Sequence, residues 1–271
     1  MGDWQRQLDE PYVVTPEARA YFKAHGYVKL KQVLDPGLLA HYGPEITRQV
    51  KALNNLTTPM EQRTTYQKAF LQIMNLWTKS PVVKELVFSK RLARIAAELM
   101  GCRGARLYHD QALYKEPGGG ITPWHADQFY WPLATDNTVT VWIPLQATPL
   151  ELGPLAFSKG SQRYNVGRDL EISDDSEQKI SKALLEQGLP LDEAPFDLGE
   201  VSYHRGWTFH RAGPNRAQRP REVMTIIYFD AAARIAPPKS KAQQSDLETW
   251  LPGKKPGDLA DSPLNPVLWQ G

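Results

Sequence analysis

The chain has 271 residues, long enough to bury a sizeable core, with 32 basic residues against 30 acidic ones and a formal charge of +2. So even a balance gives no electrostatic reason to expect nucleic acid or an anionic membrane as partner, and no apolar run approaches membrane-spanning length. Cys102 is the single cysteine, which excludes a disulfide framework and suits a reducing compartment. The amino terminus, Met1-Gly2-Asp3-Trp4-Gln5-Arg6, carries neither an apolar signal core nor a myristoylation pattern, so a soluble cytoplasmic protein is expected.

The first hundred residues read as mostly helical. Thr15-Pro16-Glu17 opens a helix with threonine as N-cap and proline at the first helical position, and Gly26 closes it. Tyr27 to Leu30 alternates like a strand, and Asp35-Pro36 starts a second helix. One long helix is expected from Ser80-Pro81 to Gly101, with Val83, Leu86, Val87, Ile95, Ala96 and Leu99 at near-helical spacing.

The pattern then changes. Residues 106–115, 139–146, 155–158, 200–203 and 222–229 are short, β-rich segments separated by Pro, Gly, Asn and Asp, which argues for a sandwich or barrel rather than a parallel sheet. The expected fold is therefore mainly β with flanking helices. Within a single domain, residues 1–104 form the helical part, 105–232 the β core and 233–271 a proline-rich wrap anchored by Trp250 and Trp269. The charged stretch 162–198, with one helix near Asp174 to Glu186, interrupts the core as a lid-like insertion; its Arg163, Arg168, Lys179 and Lys182 read as a solvated face.

Six histidines are present, and two stand in a context that suggests metal chemistry. His125 and Asp127, two apart on an extended strand, would point to one side and grip a single ion. Two imidazoles and one carboxylate leave half of an octahedral ion free, the arrangement of non-heme Fe(II) oxygenases. His204 and His210 compete for the third position; the turn at Gly213-Pro214-Asn215, which sends Arg221 back alongside, favours His210. His25 reads as a helix-terminal cation, and His109 beside Asp110 cannot chelate with it, because adjacent strand residues face opposite ways.

His125-Ala126-Asp127, Trp142 in its apolar strand, Gly153-Pro154-Leu155, Lys159-Gly160-Ser161, and His210 with Gly213-Pro214-Asn215 and Arg221 together resemble the phytanoyl-CoA dioxygenase family over roughly residues 15 to 232. The resemblance implies a double-stranded β-helix (a cupin-like jelly-roll), Fe(II) on His125, Asp127 and His210, and 2-oxoglutarate and O2 as co-substrates. It further implies that Arg221 takes the distal carboxylate of 2-oxoglutarate, and that Gln111 and Trp142 contact it. Succinate and CO2 would be co-products, and a carboxylate at 127 argues for hydroxylation or related oxidation rather than halogenation. This sequence departs from the family at Ala212, where many members carry a serine that helps hold that carboxylate, at Leu152-Gly153, and at Gln162-Arg163. Phe70 to Trp77 is similar to a helical stretch that lines the pocket in bacterial members. Candidate substrate contacts are Gln72, Asn75, Tyr108, Phe129, Trp131 and Trp207. Two other functions fit the residues alone: a zinc hydrolase on the same triad, and a jelly-roll that binds without catalysis. Monomer and homodimer both stay open.

Overall fold

The computed structural model describes residues 3–271, so the reading of Met1-Gly2 lies outside it. In chain order the helical first part contains α1 (Asp3–Asp9), α2 (Pro16–His25), β1 (Tyr27–Leu30), α3 (Pro36–Leu53), α4 (Thr65–Ala69), β2 (Leu71–Met74), α5 (Pro81–Val87) and α6 (Lys90–Met100). The β core follows as β3 (Gly104–Tyr114), β4 (Thr122–His125), β5 (Thr138–Pro144), β6 (Leu155–Ser158), α7 (Asp174–Glu186), β7 (Leu191–Glu193), β8 (Val201–Arg205), β9 (His210–Ala212) and β10 (Val223–Asp230). The chain closes with α8 (Lys241–Trp250) and β11 (Val267–Gln270).

Two antiparallel sheets face each other as a jelly-roll. The larger runs β1-β8-β5-β10-β3-β11, with β2 also paired to β3, and the smaller runs β4-β9-β6-β7. One face of the large sheet, with Val28, Val141, Tyr203 and Ile226 in register, packs on the helices in the main core. The other face looks toward the small sheet across a layer of Tyr27, Trp142, Leu155 and Phe157. Because strand side chains alternate, every second residue of the same strands belongs to this inner face.

Local chemistry explains where the helices start and stop. Thr15 caps α2 by accepting the Ala18 amide, and Gly26 ends it at φ 81°. The long helix expected from 80 to 101 is two helices. The Ser89 hydroxyl caps α6 by accepting the Leu92 amide and also donates to the Leu8 carbonyl, so the chain turns at Phe88-Ser89. The segment 70–77 is no α-helix either, but a strand over Leu71–Met74 that runs into a short 3-10 turn at Leu76. Its backbone pairs with β3, so Gln72 and Met74 alternate with Leu71 and Ile73, the first pair lining a cavity and the second packing on the core. The tail is more ordered than an extended wrap, since it contributes α8 and an edge strand. No helix among the described residues is long and apolar enough to cross a membrane.

Candidate active site

His125 and His210 are direct partners across β4 and β9, and their rings lie 4.1 Å apart between centroids. Pairing of the two strands is thus what joins residues so distant in sequence. Asp127 is not on the strand as expected; β4 ends at His125, and Asp127 opens a 3-10 turn through Tyr130. The turn swings its carboxylate back toward both rings. Asp127 Oδ1 lies 3.6 Å from His125 Nε2 and 3.5 Å from His210 Nε2, and the three groups offer ligand atoms all within 4.8 Å of one another.

The surrounding hydrogen bonds leave these atoms free for an ion. His125 Nδ1 donates to the Pro123 carbonyl at 2.7 Å and His210 Nδ1 to the Thr208 carbonyl at 2.9 Å, which fixes the tautomers and leaves each Nε2 lone pair facing inward. On the carboxylate, Oδ2 accepts from the Thr140 hydroxyl at 2.9 Å and from His204 Nε2 at 3.2 Å, leaving Oδ1 for the metal side. His204, on β8, therefore orients Asp127 and is not itself one of the convergent group. Burial, joined by the neighbouring His210, lowers the His125 imidazole to about 3, with Asp127 opposing. Burial likewise lowers His210 to about 4. Burial alone would raise Asp127, but the three imidazoles outweigh it and hold the carboxyl below its usual range. Two neutral imidazoles and an ionised carboxylate are the forms that bind a divalent ion, so the donor set fits Fe(II).

Arg221 lines the same cavity and is only 2% exposed. It donates to the Gly153 carbonyl at 2.6 Å and lies over the Trp142 ring at 5.5 Å, but its Nε has no hydrogen-bond partner and no carboxylate pairs with it. Gly153 is required there: at φ +65° a Cβ would stand 2.2 Å from the Gly213 carbonyl oxygen. Burial pushes the guanidinium down to about 9. Nearby, Lys115 is fully buried and bonds only to neutral oxygens of Gly120, Gly213 and Thr122. Burial, joined by Arg221, holds the Lys115 ammonium well below its usual range; the buried Arg221 cation without a counter-ion carries a desolvation cost that an anionic ligand relieves. Gln111, Thr225 and Trp142 form one row across β3, β10 and β5, and all three line this region. Ala212, which has no hydroxyl to offer, lines it too, and the Nε of Arg221 has no partner.

A metal-binding face opening on a buried, unpaired guanidinium suits a ferrous ion and a dicarboxylate together, and the chain is an Fe(II)- and 2-oxoglutarate-dependent dioxygenase. It belongs to the phytanoyl-CoA dioxygenase family, whose model matches residues 22–223. A probable alpha-ketoglutarate-dependent hypophosphite dioxygenase of Stutzerimonas stutzeri is 25% identical over 242 residues, covering 86% of this chain and 79% of that protein. The 1-deoxypentalenic acid 11-beta-hydroxylase of Streptomyces exfoliatus is 24% identical over 253 residues, covering 85% and 84%. Among solved structures, the epimerase SnoN in complex with Fe3+, alpha ketoglutarate and nogalamycin RO superposes with a TM-score of 0.77 at 25% identity, covering 93% of this chain and 98% of that one.

The substrate-contact expectations divide. Gln72 and Trp131 line the cavity, and Gln72 donates to Gln111 Oε1 at 2.5 Å. Asn75 does not: it is buried at a left-handed turn, where its side chain accepts from the Trp77 indole. Trp207 also points away, its indole donating to Asp136 and its ring lying under Arg168. Phe129 meets Tyr130 edge to face outside the lining, and Tyr108 is buried behind the cavity. His109 lines the cavity on the face it shares with Gln111, and Asp110 faces the other way, its carboxylate accepting the Leu76 and Trp77 amides, as alternation requires. Register between β10 and β3 shifts so that Tyr108 and His109 together oppose the single Ile227, a bulge that turns Tyr108 into the cluster of Ile227 and Phe229. Tyr66, Phe70, Met74, Tyr130 and Ile172 complete an apolar wall that sequence spacing gave no means of assembling.

Proposed function

We propose that His125, Asp127 and His210 hold the iron, that Arg221 takes the distal carboxylate of 2-oxoglutarate with Gln111, Thr225 and Trp142 beside it, and that the substrate is a small organic molecule with an apolar body. The convergence of three prepared ligand atoms in one cavity with an uncompensated guanidinium carries this reading. Bound there, iron and 2-oxoglutarate supply oxidation of a C–H bond by dioxygen, with loss of CO2 and formation of succinate. The protein's own part is positional. Backbone carbonyls of Pro123 and Thr208 hold the imidazoles, and Thr140 and His204 hold the carboxylate, so the donor set is fixed before the ion arrives. Trp131, Tyr130 and Phe70 exclude water from the space where the reacting carbon would sit. The cavity lining offers no lysine and no arginine other than Arg221, which favours an organic substrate over an inorganic oxyanion of the kind named for the Stutzerimonas relative. A zinc hydrolase has no use for a buried guanidinium aimed at a second carboxylate, and a non-catalytic binder has no use for a prepared ligand set. On the same reading, residues 1–271 act as one oxygenase unit and Cys102, free and half-buried, fits a reducing, cytoplasmic setting. The test is anaerobic loading with Fe(II) or Zn(II), then addition of O2 and 2-oxoglutarate. Succinate forms with Fe(II) only, and Arg221→Met raises KM for 2-oxoglutarate by about 30-fold or more, the cost of about 2 kcal/mol or more for losing one side of a buried charge pair. Equal succinate yield from the variant at low 2-oxoglutarate would refute the role of Arg221.

A further inference from the structure

The cavity is electrically two-ended. Arg221 stands at one end of the inner face, and the end where β3 bulges carries a carboxylate, Asp246 of α8. Asp246 is the only acidic residue of the lining besides Asp127. Its Oδ2 accepts the Tyr108 hydroxyl at 2.9 Å, and no lysine, arginine or histidine among the described residues lies within ion-pair distance of it. Burial pushes the Asp246 carboxyl up to about 7, with the Tyr108 hydroxyl opposing.

His109 lines the same cavity and follows in sequence the Tyr108 that bonds Asp246. The ring is 3% exposed, and its Nδ1 lacks a hydrogen-bond partner. Trp250 packs on the ring at 4.9 Å between centroids. Trp250 and Asp246 are four apart on α8 and so share one face, which brings both against the bulge that Tyr108 and His109 form. Burial lowers the His109 imidazole to about 4, so it is neutral near pH 7, with one nitrogen that donates and one that accepts. A buried polar pair with idle capacity is costly unless something in the cavity completes it. Anchoring α8 does not demand a carboxylate, because an asparagine would accept the tyrosine hydroxyl as well.

We propose that His109 and Asp246 form a substrate-recognition site that takes a hydrogen-bond donor, a hydroxyl or an ammonium group, carried by the substrate at a distance from the carbon oxidised. The inference rests on the assignment of Arg221 to 2-oxoglutarate, which leaves no cation in the lining for an anionic substrate group. It makes the substrate a hydroxylated or aminated organic compound, and it disfavours phosphonates and carboxylates whose charge would face the ionised Asp246.

The test uses the Mn(II)-loaded full-length protein and calorimetry. Binding of 2-oxoglutarate is measured first; its absence overturns the underlying assignment and this one with it. With 2-oxoglutarate bound, four probes of one shape are titrated: cyclohexylamine, cyclohexanol, cyclohexanecarboxylate and cyclohexylphosphonate. The amine and the alcohol bind at least about tenfold more tightly than the two anions, and Asp246→Asn cuts the preference for the amine to about threefold or less. His109→Gln, which keeps Asp246 in place, weakens the alcohol. The pair is refuted, with the 2-oxoglutarate site left standing, if the anions bind as well as the amine. It is equally refuted if the preference survives in a folded Asp246→Asn protein, or if no probe binds.

Discussion

The two faces of the large sheet are built from the same strands and differ in almost everything else. On the helix side, Val28, Val141, Tyr203 and Ile226 sit in one row, buried and close-packed. One residue along, Tyr27, His204, Thr140 and Ile227 form the matching row on the cavity side. The first row holds the fold together by removing apolar area from water, while the second spends its positions on groups that aim Asp127 and receive ligands. The period-2 alternation of a strand thus separates stability from chemistry by a single step in sequence.

That separation can be broken by mutation, and three substitutions do so with falling effect. Ile226→Ala, on the helix side, should cost about 2–5 kcal/mol in chemical denaturation, because the buried site closes incompletely around the cavity left behind. The remaining folded protein should keep its KM for 2-oxoglutarate; a raised KM would show that the two faces are coupled. Thr140→Val, close in shape and on the cavity side, removes one of two donors to Asp127 Oδ2. It should leave the melting temperature nearly unchanged while weakening metal affinity by about tenfold, at the low end for a partner of a metal ligand. A large loss of stability with unchanged affinity would reverse the division. The smallest effect is a gain. Ala212→Ser adds a hydroxyl to the lining that also holds Arg221 and should tighten 2-oxoglutarate by a few-fold, one hydrogen bond of about 1 kcal/mol. If the variant binds no better, the carboxylate is already satisfied by Thr225 or Gln111.

Much of this arrangement is legible in the sequence, and the exceptions have specific physical causes. Jelly-roll strands announce themselves by short β-rich runs between turn residues, and His125, Asp127, His210 and Arg221 by their order along the chain. The reason given for Asp127 differs from the actual one, since a 3-10 turn aims it and the strand does not. Tyr108 misses the cavity lining for a related reason, because a bulge depends on the partner strand and leaves no local mark. Phe70 to Met74 carries enough apolar residues for a helix but pairs with β3, a tertiary choice that overrides local pattern. Asp246 lies in a tail whose prolines suggest only an extended path, and nothing near it in sequence hints at the cavity it reaches.

His204 and His210 both touch Asp127, at 3.2 and 3.5 Å, yet only His210 joins His125 in the convergent group. Titrating Fe(II) anaerobically into His210→Ala and His204→Gln compares them directly. The account predicts that His210→Ala loses stoichiometric iron binding, whereas His204→Gln still binds one ion per chain with weakened affinity. Retention of the ion by His210→Ala with its loss in His204→Gln would contradict it.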